Sequence, residues 1–190
     1  MDLSFNEHLI IFISVIYAFF VTIIYAGWGR MIRTINKSTI PFLYIGWTIL
    51  VKLFIVQTWW ENFQIKEEMA LHIGYFYLVL IALILLYFTI FYMFPDNESI
   101  KDGNYDKYFF ENKAKIFLSA IGYLFMLMII SSVFKKINFF AWENILRLIA
   151  IITLGAATVF NNRKVQTGIL IALVLILGIF VTYFRWRSGN

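Results

Sequence analysis

Five ionisable residues, Lys52, Glu61, His72, Glu143 and Arg147, stand within or at the ends of long apolar runs. A bilayer penalises such groups, so each is first a candidate for function. Lys52 and Arg147 would favour anions along a polar path. Glu61, His72 and Glu143 are the groups that acid/base chemistry on a lipid-linked substrate would need, provided they converge to hydrogen-bond reach. His72 at a helix start also allows a proton relay. Helical spacing sharpens the picture. Thr48, Lys52 and Trp59 are four and seven apart and share one face, so Lys52 looks into whatever Trp59 touches. Glu143 precedes Arg147 by four residues, the better order for an intrahelical ion pair. The structural alternative is that Glu143 and Arg147 neutralise each other and that Lys52 snorkels along a groove.

Catalytic signatures are sparse. The chain has no His-Glu-x-x-His, no Gly-x-Ser-x-Gly and no phosphate-cradling glycine loop. Two histidines, His8 and His72, cannot build a three-His metal site, and zero Cys excludes disulfides, thiolate catalysis and Cys-ligated metals. No Asp within a span offers a counter-ion for a Lys52 Schiff base, and no arginine ladder suggests voltage sensing. The expectation is a protein without cofactor, metal or enzymatic activity.

The elements that carry these residues follow from composition. Of 190 residues 62% are hydrophobic, 20% aromatic and 14% charged, with mean hydropathy +0.80. A soluble domain carries about 25% charged residues, so a soluble globular or disordered chain is excluded. The net charge of +5 sits in basic residues between apolar runs, which points to topology rather than to nucleic acid. About 20 apolar residues cross a bilayer core, and the expected spans are 9–30, 40–60, 70–94, 114–134, 139–160 and 165–184. The second and fifth are interrupted by Lys52 and by Glu143 with Arg147. A central Lys costs about 2.5–3.5 kcal/mol against about 0.3–0.6 returned by each large aliphatic or Phe, so the second still inserts. The fold expected is an all-α bundle of six transmembrane helices forming a single domain, with four as the fallback.

Leu9 begins a run too long for a cleavable signal, and Asp2 and Glu7 replace the basic start such a signal needs. Arg30, Arg33, Lys37, Lys101, Lys107, Lys113, Lys115, Arg163 and Lys164 fall on one side of a six-span layout. Lys66, Lys135, Lys136, Arg185 and Arg187 fall on the other, which places both termini outside. Trp28, Trp47, Trp59, Trp60, Trp142 and Trp186 lie near expected helix ends and read as interfacial anchors, Trp59 and Trp60 most clearly. The turn-rich connection from Pro95 reads as solvated, not as a calcium loop. Tyr105 to Lys115 is expected to lie along the headgroups. Ser14, Ala18 and Thr22, Gly155 to Ala157, and Gly168 with Ala172 suit close helix contacts, within one bundle or between copies.

The segment Tyr108-Phe109-Phe110-Glu111-Asn112-Lys113-Ala114-Lys115-Ile116-Phe117, with Gln57, Trp59, Trp60 and Pro95, resembles a widespread group of uncharacterised bacterial membrane proteins of about this length. That resemblance implies a multi-pass protein of the bacterial cytoplasmic membrane and carries no activity. In size and composition the chain is also similar to membrane accessory proteins of bacterial antiviral loci, such as those beside type VI-B CRISPR effectors, an analogy of class. Three functions are therefore weighed. The first is an oligomeric channel or membrane regulator, working with copies of itself or a protein partner. The second is a small-solute or lipid transporter, and the third an intramembrane enzyme.

Overall fold

The computed structural model describes residues 5–34, 41–62, 72–95, 104–134 and 137–188. Six helices occupy them: α1 Phe5–Thr34, α2 Phe42–Asn62, α3 Ile73–Met93, α4 Tyr105–Val133, α5 Trp142–Val159 and α6 Arg163–Ser188. All six are long and apolar enough to cross a membrane, so the chain is an all-α integral membrane protein and the four-span layout is discarded. Lys37, Lys66, Glu67, Glu68, Lys101, Lys135, Lys136 and most of the connection after Pro95 lie outside the described residues.

Local chemistry sets several helix ends. Asn104 caps α4, its side chain accepting from the Lys107 amide at 3.0 Å, and Asp106 adds a negative charge in the first turn where the helix dipole favours one. Asn138 turns the chain into α5 through its side-chain bond to the Phe140 amide, and Asn162 does the same for Lys164 at the start of α6. Pro95 lacks an amide to continue α3.

One expectation is corrected here. Tyr105 to Lys115 is not a separate segment along the headgroups but the first turns of α4, which runs unbroken for 29 residues. At helical rise that is roughly 43 Å, against a core of about 30 Å. The reason is packing. Tyr105 lies 5.2 Å from Tyr44, and Phe109 stacks on Trp47 at 5.9 Å, so these aromatic residues bury against α2.

The helices form a ring in which α1 meets α2, α2 meets α6, α6 meets α5, α5 meets α4, α4 meets α3 and α3 meets α1, while α2 also touches α4 across the middle. Lipid offers no hydrophobic drive for this association, so contacts depend on close packing and hydrogen bonds between helices. Gly46 lets α6 approach, because a Cβ there would stand 2.5 Å from Leu170. Gly27 makes room for Phe94 in the same way. Gly122 does so less tightly, 3.3 Å from Leu85, whereas a Cβ on Gly155 or Gly168 would meet nothing within 4 Å. The Trp47 indole is also reassigned. It is 1% exposed, 4.6 Å from Phe117, and belongs to the core rather than to an interfacial belt.

Candidate functional site

Glu61 ends α2 and Arg147 lies in the second turn of α5, so the ring brings both to the same end of the bundle. Their side chains meet at 3.1 Å with 8% and 7% exposure. Arg147 Nη1 also donates to Ser131 Oγ at 2.9 Å and to Asn144 Oδ1 at 3.0 Å. Asn144 in turn donates to Ser132 Oγ and to the Asn138 carbonyl, both at 3.3 Å. Gln57 donates to the other Glu61 oxygen at 3.4 Å. Removing two charges from water costs several kcal/mol per ion. Short contacts and satisfied neighbouring donors are what make such a buried pair tolerable, and both are present. The Phe180 ring covers the guanidinium at 5.4 Å from its carbon.

The sequence residues separate into three places. Glu61 and Arg147 come together, so Arg147 has an ion partner on α2, 86 positions away in the chain. Glu143 is buried at that end of α5. Lys52 lies elsewhere, in the groove between α1 and α2. Its ammonium donates to Tyr25 Oη at 2.7 Å and stands 4.6 Å and 5.2 Å from the Tyr25 and Trp28 ring centres. Thr48 accepts from the Trp28 indole, and the Trp59 indole donates to Ser14, each at 2.9 Å. The shared face of Thr48, Lys52 and Trp59 therefore meets one helix, α1. His72 precedes α3, is exposed, and lies 6.0 Å from the Phe134 ring. Trp60 is exposed.

A fourth place was not expected. Lys113 of α4 is 4% exposed and donates to the carbonyls of Ala157, Thr158 and Phe160 at 3.0, 2.7 and 2.8 Å. These are carbonyls at the end of α5, where the helix dipole favours a cation. Gln166 Nε2 joins it, donating to the Ala157 and Phe160 carbonyls at 2.6 and 2.7 Å. The available signal was that Lys113 shares a helical stripe with Phe109, Ile116 and Phe117, all apolar.

Between these ends lies a cavity of about 100 Å³ inside the ring. Its wall is apolar, from α2 to α6, with Trp47 and Met93 toward one end and Glu61, Arg147 and Phe180 at the other. Beside the ion pair a smaller space of about 20 Å³ touches Tyr17, Thr58, Tyr75, Tyr123 and Ser131, enough for one water-sized group. The Tyr17 and Tyr123 hydroxyls are 3.2 Å apart there. Among the described residues no group of three His, Cys, Asp or Glu could hold a metal. No protein-family model, curated protein or solved structure matches the chain, so function is read from these side chains alone.

Proposed function

We propose that this integral membrane protein is a non-enzymatic regulator that works by helix contacts with other proteins in the bilayer, and that one bundle carries no ion path. The observation that supports this is how the buried cations are held. Arg147 is matched by Glu61 and Lys113 by three carbonyls, while the half-buried Lys52 rests against two aromatic rings in the outer groove. The space beyond Arg147 is apolar, and apolar cavities of this size stay dry. Conduction instead needs lining groups that replace an ion's hydration. The surface offered to a partner is α6, with 17% of its span buried in the bundle. Gly168 and Gly178 leave open space on it, and a second helix can come close at such residues. A role as membrane accessory of a bacterial antiviral locus agrees with this reading.

The second reading is an anion channel made by several copies, favoured by Lys52, which is half-buried on the outer groove rather than sealed in the core. Reconstitution in nanodiscs and planar bilayers separates the two. The regulator reading expects no current, and complexes trapped by cross-linking in the membrane that are lost in the double variant Gly168→Leu with Gly178→Leu. Anion currents abolished by Lys52→Met would overturn it in favour of the channel.

A further inference from the structure

Lys52 stands ten residues from either end of α2, about 15 Å from each at helical rise. That is the middle of a hydrocarbon core of about 30 Å, where ionisable groups ordinarily face the bundle interior and pair with one another. Lys52 does neither. Its ammonium is held in the outer groove by the hydroxyl of Tyr25, itself 52% exposed, and Ile49, Leu53 and Val56 near it on α2 are exposed as well. The Thr48–Trp28 and Trp59–Ser14 bonds fasten α1 to α2 on either side of it, so the charge is a fixed feature of this outer surface. The rings of Tyr25 and Trp28 soften that charge without cancelling it. Among the described residues no carboxylate pairs with Lys52; Glu61 is taken by Arg147 and Asp106 by Arg163.

The complement to an ammonium at this depth is a carboxylate, and the question is which molecule brings one. A lipid phosphate stays at the headgroups, outside the core. A second copy is no better placed, because the carboxylates of the described helices, Glu7, Glu61, Asp106, Glu111 and Glu143, all fall among the first or last seven residues of their helices. A helix of another membrane protein with Asp or Glu near its centre meets the requirement. On the Tyr25 face of α1, Thr22 and Ala18 are exposed three and seven residues earlier, and such small side chains let a neighbouring backbone come close. We propose that the α1–α2 groove at Lys52 docks a membrane helix of another protein that carries one carboxylate near its centre, the carboxylate accepting from the Lys52 ammonium beside Tyr25 Oη. This rests on the reading of the chain as a regulator that works by helix contacts, and it adds to α6 a second surface with a stated partner chemistry.

The test uses the full chain in phosphatidylcholine nanodiscs and three synthetic leucine helices of about 20 residues: one with a central Asp, one with an Asp at its end, and one with leucine throughout. Energy transfer between labelled chain and labelled helix reads association. The central-Asp helix should bind about tenfold more tightly than the all-leucine helix, and the end-Asp helix no better than the all-leucine one. Lys52→Met should remove the gain and Lys52→Arg, which keeps the charge, should retain it, with thermal unfolding as the check on each variant. Gly168→Leu with Gly178→Leu should leave the gain unchanged. The groove and the α6 surface are thus read separately, and complexes lost in that double variant stand whether or not the Asp helix binds. The proposal is overturned by equal binding of the central-Asp and all-leucine helices, or by a gain that survives Lys52→Met. Displacement of the Asp helix by added phosphatidylglycerol would assign the groove to a lipid headgroup instead. Energy transfer between copies of the chain that is lost in Lys52→Met would assign it to a second copy.

Discussion

Arg147 and Lys113 are both cations buried to more than nine-tenths, and both act on α5, yet the bundle accommodates them by different means. Arg147 near the start of α5 is met by a full opposite charge from α2. Lys113 is met at the other end of the helix by backbone carbonyls alone. A carboxylate must itself be desolvated, so the Arg147 end carries two desolvation costs and needs Ser131, Asn144 and Gln57 to offset them. The carbonyls at the end of α5 are unpaired by helix geometry in any case, so Lys113 satisfies groups that already lacked partners. The difference teaches that one cation depends on a distant helix and the other completes its neighbour. Only the first leaves an apolar chamber beside it.

Breaking one side of the ion pair should have the largest effect. Glu61→Leu strands the Arg147 guanidinium and should destabilise the bundle by about 3–5 kcal/mol, read by reversible unfolding in bicelles. Adding Arg147→Met should recover most of that loss, since a buried pair replaced by apolar side chains is often neutral. A double variant as unstable as the single one would show that the two residues do not act as a unit.

At the opposite end, Lys113→Met should cost less, about 1.5–3 kcal/mol for the loss of hydrogen bonds from a charged donor. The change should be local. Amide hydrogen exchange should rise in the last turn of α5 and the first turn of α6 while the turn carrying Arg147 stays protected. Faster exchange spread evenly over both ends of α5 would erase the distinction between them.

Lys52, outside both places, should matter least. Its contacts with Tyr25 and Trp28 in the open groove are worth about 0.5–1 kcal/mol each, and replacing Lys by Met removes a penalty for inserting α2. Lys52→Met should therefore unfold within about 1 kcal/mol of the unmodified chain in the same bicelle assay. A loss as large as that of Glu61→Leu would place Lys52 in the bundle's core machinery.

Six spans were legible because an apolar run of helical length has few other uses. The placement of Thr48, Lys52 and Trp59 on one partner was legible as well, since the period of 3.6 is a local property. The ion pair was not. Glu143 offers Arg147 a partner four residues away, and nothing local reveals that Glu61 meets it at 3.1 Å once α2 and α5 converge. Trp47 sits near a helix end, where belt and core residues look alike, and only the ring of Phe109 and Phe117 around it decides the matter. Lys113 lies in a basic stretch that resembles a loop, and its role depends on where α5 happens to stop. In each case the missing information is tertiary.

The separation of Glu61 from Arg147 by 86 positions also has a meaning in time. At synthesis rates of about 5–20 residues per second, Glu61 is made roughly 4–17 s before its counter-charge. During that interval α2 is a helix with a carboxylate at its end and no cation to meet it, and α5 later enters as a helix whose arginine has one waiting. The last-made half of the chain thus completes the first, and a ribosome that stops before α5 leaves behind a membrane protein with an unanswered charge.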